Sequence, residues 1–203
     1  MPDPSQRLDQ RLSALSPTFT TRMARTVGLS ARDLSTLSET GAIEELSRGV
    51  YRRSDAPPTA HLDLLGVCTR APHAVVCGES ALAVHELIDD IPHEVHIAVP
   101  RGSHRPSISY PPTRVSQYAA DTFDFEVERF EAALGETVPV YSMARSVVDA
   151  MRLRGAAGRS LALSALNRYL RRHGHQGVAD LQRTARELGG MSALRPAIEA
   201  VLA

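Results

Sequence analysis

The chain has 203 residues, 43% of them hydrophobic and only 4% aromatic, with 23 basic and 23 acidic side chains. That length suits one small and one medium domain with a core of Leu, Val and Ala, and the lack of any run of about 18 apolar residues excludes a membrane-spanning helix. All 23 basic residues are Arg, and the net charge of residues 1–55, 56–144 and 145–203 is +1, −7 and +6, so an acidic middle and a basic end imply either an internal charged seam or two partner surfaces.

The opening MPDPSQRLDQRL has no apolar signal core, and a soluble cytoplasmic protein is expected. Leu8, Leu12 and Leu15 fall at helical spacing over residues 5–15, and Ser16-Pro17 stops that helix. Thr20 or Thr21 can cap a short helix carrying Arg22, Met23, Ala24 and Arg25, and Val27-Gly28-Leu29 supplies a tight turn. Ser30 caps the next helix, with Asp33 three residues on as a near-match to a capping box. Leu34 and Leu37 share its buried face, Gly41 ends it, and Arg32, Ser35 and Thr36 face out. A second helix after a tight turn, exposing Arg, Ser and Thr, is what a major-groove recognition helix requires.

Residues 42–53 predict a hairpin: Ala42 to Leu46 alternate weakly, Ser47-Arg48-Gly49 turns, and Val50-Tyr51-Arg52-Arg53 returns. A helix-turn-helix followed by such a ribbon is the winged form. Thr20, Thr21, Arg22, Arg25, Ser30, Arg32, Ser35, Thr36, Arg48, Tyr51, Arg52 and Arg53 are therefore the candidate DNA-binding residues. Arg48 at the tip is placed to reach a minor groove, and Arg52 and Arg53 to neutralise phosphates. The same module also fits a helix-and-hairpin used only for protein contacts.

Ser54 to Thr59 contains Pro57-Pro58 and predicts a linker, so the domain boundary is expected after residue 55. Residues 56–141 predict a small mixed sheet with helices. Residues 60–70 and 79–87 read as helices, and 74–77, 94–99, 114–118, 123–130 and 137–141 as strands. Cys68 and Cys77 stand alone in apolar settings and read as buried free thiols. The histidines form no metal constellation, so no metal or other cofactor is expected. On a strand, Glu94 and His96 would share one solvated side. The last sixty residues predict four helices: 142–154, 159–173, 178–188 and one from Ser192, with glycine-containing breaks at 155–158 and 174–177. Ser142 is a cap, and Arg152, Arg154, Arg159, Arg168, Arg171 and Arg172 lie on helix faces as a candidate second basic surface.

Taken in order, the helix-turn-helix, GAIEELSRGVYRRSDAPPT, ESALAVHEL, IPHEVHIAVPRGSHRP, YPPTRV and VPVYSMARSVVDAMRLRGAAGRSLALSALNRYLRR resemble the AbiEi antitoxins of bacterial type IV toxin–antitoxin and abortive-infection systems. The resemblance spans about residues 20–172 and lies in order and spacing rather than in any catalytic signature. It implies an α+β protein with an N-terminal winged helix-turn-helix and a C-terminal mixed α/β domain ending in a helical bundle. It also implies phage defence through an antitoxin that represses its own operon on inverted-repeat promoter DNA, self-associates there, and counteracts a nucleotidyltransferase toxin. In VYSMARSVVD the matching polar positions are Ser142, Arg145 and Asp149, which the resemblance makes candidates for a direct antitoxin role or part of the second DNA surface and which equally describe a helix cap and an i, i+4 ion pair. The resemblance leaves the route of neutralisation open, since members of the group can act without a stable toxin complex.

Two other classes fit less well. A nucleotidyltransferase needs a Gly-Ser phosphate turn followed closely by paired carboxylates that hold Mg²⁺. Gly102-Ser103 and Asp124-Phe125-Glu126 stand about twice too far apart, with Pro106, Pro111 and Pro112 between, so no enzymatic activity is expected. A stand-alone winged-helix regulator whose C-terminal domain senses a small ligand is compatible with the acidic middle block, although no ligand motif occurs.

Overall fold

The structure, a computed structural model, describes residues 4–152 and 158–202. The chain is α+β. One compact unit takes the residues up to His73 together with Pro106–Thr113 and Phe130–Val138; the other takes Ala74–Arg105, Arg114–Arg129 and the residues from Pro139 on.

The first unit opens with α1 (Pro4–Ser13), β1 (Thr18–Thr20), α2 (Thr21–Thr26) and α3 (Ala31–Glu39), followed by β2 (Ile43–Ser47), β3 (Val50–Arg53) and α4 (Leu62–Arg70). Leu12 and Leu15 pack with Phe19, Ala24, Leu29, Leu34, Leu37 and Ile43 in one core, in which Leu34 and Leu37 are the pair that helical spacing on α3 selects. The strands form an antiparallel sheet in the order β1-β3-β2. Strand β1 is too short for alternation to reveal it; it pairs Thr18 with Arg52 and Thr20 with Val50, turning the expected hairpin into three strands. The weak alternation of β2 has a local cause: an irregularity between Glu45 and Ser47 leaves both Glu44 and Glu45 exposed while Ile43 and Leu46 are buried.

Helix α4 lies beyond the expected boundary yet groups with this unit. The reason is Gly66, whose missing Cβ would stand 3.2 Å from Leu46 Cβ and 3.3 Å from the Leu46 carbonyl oxygen. A side chain there would press Leu46 back by a few tenths of an ångström, so glycine suits this close approach of the helix to β2.

The second unit contains β4 (Val75–Val76), α5 (Gly78–Val84), β5 (Val95–Pro100) and most of β6 (Thr113–Tyr118). After them come β7 (Val127–Ala133) and β8 (Glu136–Tyr141), whose residues 130–138 count with the first unit, and then α6 (Met143–Arg152), α7 (Arg159–Glu187) and α8 (Met191–Leu202). The sheet order is β6-β5-β4-β8-β7, with β4 antiparallel to β5 and parallel to β8. Helices α6, α7 and α8 pack on one another and α6 also on α5, burying Leu82, Val147, Val148, Leu166, Leu181 and Leu194 completely.

Three expectations for this unit are corrected. Residues 123–126 are turn rather than strand, and β7 starts only at Val127; the carbonyls of Thr122, Phe123 and Phe125 accept hydrogen bonds from Arg145 Nη1 instead of from a neighbouring strand. His96 is buried, not solvated, because every residue from Val95 to Val99 is covered. Its ring is 3.6 Å from Glu94, which pairs with Arg114 at 2.6 Å. The expected break at 174–177 shrinks to Gly174, whose φ of 55° and ψ of −141° interrupt α7 at a single residue.

Cys68 and Cys77 are both free and buried, and burial pushes each thiol up to about 12. Both are expected to resist a maleimide at neutral pH in the folded chain and to label fully in denaturant, read by mass; labelling of the native chain at the rate of a free thiol would contradict the packing around them.

Candidate nucleic-acid interface

The interface is built from caps outward. Thr20 is the N-cap of α2, its hydroxyl accepting from Met23 N at 3.1 Å. Gly28 takes the left-handed conformation (φ 82°) that makes the tight turn, and Arg11 of α1 donates to its carbonyl at 2.9 Å. Ser30 and Asp33 form a complete capping box: Ser30 Oγ accepts from Asp33 N at 3.2 Å, and Asp33 accepts from Ser30 N at 2.7 Å. Those bonds, with the Ser30 hydroxyl the largest cause, hold the Asp33 carboxyl below its usual range. A lowered carboxyl contributes stability above its unfolded pKa and loses it as pH falls through the folded value, so the start of α3 loosens only in acid.

This frame fixes what α3 shows. Leu34 and Leu37 are buried, and Arg32, Ser35 and Thr36 are exposed on the other side. Arg22 and Arg25 of α2 and Arg48 at the wing tip are exposed as well. Among the described residues none of Arg22, Arg25, Arg32 and Arg48 is in an ion pair. Uncommitted guanidiniums on α2, α3 and a wing are free to exchange counterions for phosphates, and Arg32 and Thr36 carry donors suited to base edges, while the Ser35 hydroxyl donates to Glu39 at 3.2 Å.

Four of the expected DNA contacts are occupied inside the protein. Arg52 is 4% exposed and donates to Thr18 Oγ1 at 2.8 Å, to the Pro57 carbonyl at 2.8 Å and to the Glu136 carboxylate. A side chain committed to three internal acceptors cannot also neutralise a phosphate. Arg53 makes a two-pronged bond to Asp55 at 2.8 and 2.7 Å, so its charge is already matched. Tyr51 is half-buried with its ring 5.9 Å from that of Phe19. Thr21 holds the wing turn, its N–H and Oγ1 donating to the Gly49 carbonyl at 2.9 and 3.3 Å.

The expected second surface is reduced in the same way. Ser142 caps α6, its Oγ accepting from Arg145 N at 3.1 Å and donating to Glu126 at 2.6 Å. Arg145 is 0% and Asp149 3% exposed, so neither offers a surface to DNA or toxin. Arg152 bonds Asp149 at 2.7 Å and the Leu188 carbonyl at 2.9 Å. Arg168 pairs with Asp89, and Arg172 with Glu86 and the His85 carbonyl. Arg159 and Arg171 are exposed without an ion pair among the described residues. Arg154 lies outside the described residues.

Of the carboxylates suggestive of nucleotidyl transfer, Asp124 is exposed, while Glu126 accepts hydrogen bonds from the hydroxyls of Ser142 and Thr184. Glu126 also lines a cleft of about 410 Å³ with Glu128, Tyr169, His173, Asp180 and Arg183. Among the described residues no three His, Cys, Asp or Glu side chains converge as a metal site, and no helix is long and apolar enough to cross a membrane.

Comparison with known proteins bears on both units. Curated proteins give no match. The crystal structure of the RV2827C protein from Mycobacterium tuberculosis is similar over 90% of this chain and 70% of that one, at 16% identity and a TM-score of 0.54, a likeness of fold alone. Residues 6–54 match the model described as transcriptional regulator, AbiEi antitoxin. That segment holds α2, α3, the wing and all but the first residues of α1, and over it the chain is similar to the AbiEi antitoxin transcriptional regulators.

Proposed function

We propose that the chain represses its own operon by binding inverted-repeat promoter DNA and is the antitoxin to a nucleotidyltransferase toxin, with no enzymatic activity of its own. The observation that carries the DNA half of this reading is the exposed face of α3 flanked by uncommitted arginines on α2 and the wing. The family match and the order of motifs support the antitoxin half. One such module buries only about 600–1,000 Å² on DNA, so tight operator binding calls for two copies on the repeat.

Arg32→Ala tests the reading. It is expected to lower discrimination between the DNA upstream of the gene and a shuffled duplex by about 1–3 kcal/mol per lost base contact, with the melting temperature unchanged because Arg32 is exposed. Retained preference in that variant would remove α3 from base recognition.

The cleft beside Glu126 favours a second reading, a repressor tuned by a small ligand. A metabolite that shifts operator affinity in the wild type, and fails to do so after Tyr169→Phe with Arg183→Gln, is the result that reading requires.

A further inference from the structure

We propose that Arg70, at the end of α4, is a second phosphate-binding arm of the wing, acting beside Arg48 on the backbone of duplex DNA. The inference rests on the DNA-binding reading and adds to it a residue from outside the helix-turn-helix and its hairpin.

Gly66 and Arg70 are four residues apart and so share one face of α4. Gly66 lies against Leu46 of β2, and Arg70 Nη1 donates to the Arg48 carbonyl at 2.6 Å. Four residues of helix advance about 6 Å, and two residues of strand about 6.6 Å. The helix therefore keeps pace with the strand from Leu46 to the wing tip, and its last arginine arrives at the turn.

The turn it reaches is held in place. Thr21 bonds the Gly49 carbonyl, Glu45 accepts from Gly49 N at 2.8 Å, and Ser47 Oγ donates to the Tyr110 carbonyl at 2.6 Å. A fixed turn gives a phosphate a prepared seat and removes the ordering cost of a mobile wing. Arg70 is exposed, is in no ion pair among the described residues, and commits a single N–H to Arg48. Four of the five guanidinium N–H groups remain, enough to grip a phosphate while the first steadies the turn. Arg52 and Arg53, nearer in sequence, lack this freedom because Glu136 and Asp55 hold them.

The test follows binding of the full chain to a random-sequence duplex across salt, by fluorescence anisotropy, with the DNA upstream of its gene in parallel. Arg70→Gln and Arg48→Gln are each expected to flatten the slope of log affinity against log salt by about 0.9, one phosphate contact each, with the preference for upstream DNA unchanged. Arg70→Lys should restore the slope, since an ammonium neutralises a phosphate as a point charge. A normal slope in Arg70→Gln, with Arg48→Gln reduced, overturns the role of Arg70 and leaves the DNA-binding reading standing. Weakened binding at unchanged slope in both Arg70→Gln and Arg70→Lys makes Arg70 a strut for the turn and overturns the proposal equally. A wild-type chain that binds no duplex at any salt overturns the proposal together with the reading beneath it.

Discussion

Arg145→Ala is expected to cost about 3–5 kcal/mol of stability, a large share of the roughly 5–15 kcal/mol available to a domain. The side chain is wholly buried. Its Nη1 serves the carbonyls of Thr122, Phe123 and Phe125, which fix the turn leading into β7. Its guanidinium carbon lies 3.6 Å from the centre of the Tyr141 ring, a desolvated cation–π contact. Its Nε faces Asp149 at 3.5 Å. Alanine would remove the guanidinium donor from all three carbonyls, leaving Phe123 to the Tyr141 hydroxyl and Thr122 to the Phe125 N–H, and Asp149 supported by Arg152 alone. Burial pushes the Asp149 carboxyl up, against the pull of Arg152 and Arg145. A raised carboxyl favours the fold below its unfolded pKa and stops doing so as pH rises through the folded value. The loss in Arg145→Ala should therefore be largest at neutral pH and shrink in mild acid, where Asp149 takes up a proton. Urea denaturation at both pH values measures this; a variant as stable as the wild type would return Arg145 to the candidates for a functional surface.

Arg52→Ala is expected to cost a similar 3–5 kcal/mol, with weakened binding to every duplex as a consequence of unfolding rather than of a lost phosphate contact. Its pair with Glu136 is nearly closed to water, with side-chain exposures of 5% and 10%, and the same Glu136 accepts from Thr18 N at 2.9 Å. Truncating Arg52 leaves that carboxylate without its cation and takes the side-chain donor from Thr18 Oγ1 and from the Pro57 carbonyl. Arg52→Lys should rescue little, because one ammonium cannot reproduce a planar fork serving three acceptors. The discriminating readout is the melting temperature measured beside DNA affinity. Arg52→Ala lowers both, whereas Arg32→Ala lowers only discrimination; an Arg52→Ala chain that melts normally and loses about one unit of salt slope would restore Arg52 as a phosphate ligand.

What was legible in the sequence is what local chemistry determines. The caps at Thr20 and Ser30 and the Leu34/Leu37 face depend on residues within one helical turn of each other, and all are present. The family resemblance also holds for residues 6–54. What escaped the sequence depends on distant partners. Arg52 looks like an exposed wing arginine until Glu136, 84 residues on, is placed beside it. Arg145 and Asp149 look like a surface i, i+4 pair until the turn at 122–125 closes over them. Pro57-Pro58 resembles a boundary, yet α4 packs on β2 through the absent side chain of Gly66. The spacing of Gly66 and Arg70 was the one signal that could have drawn attention to Arg70, and it has meaning only once β2 lies alongside.

Operator recognition through α3 is decided by binding of the full chain, across salt, to the DNA upstream of its own gene and to a shuffled duplex of the same composition. A fragment ending at residue 55 is unsuitable, since it lacks Glu136, Tyr110 and α4, on which Arg52, Ser47 and the wing turn depend. Expected are tighter binding to the upstream DNA, log affinity that falls linearly with log salt, and loss of the preference in an Arg32→Ala chain that melts like the wild type. Equal affinity for the two duplexes, or a preference untouched by Arg32→Ala, would contradict operator recognition through α3.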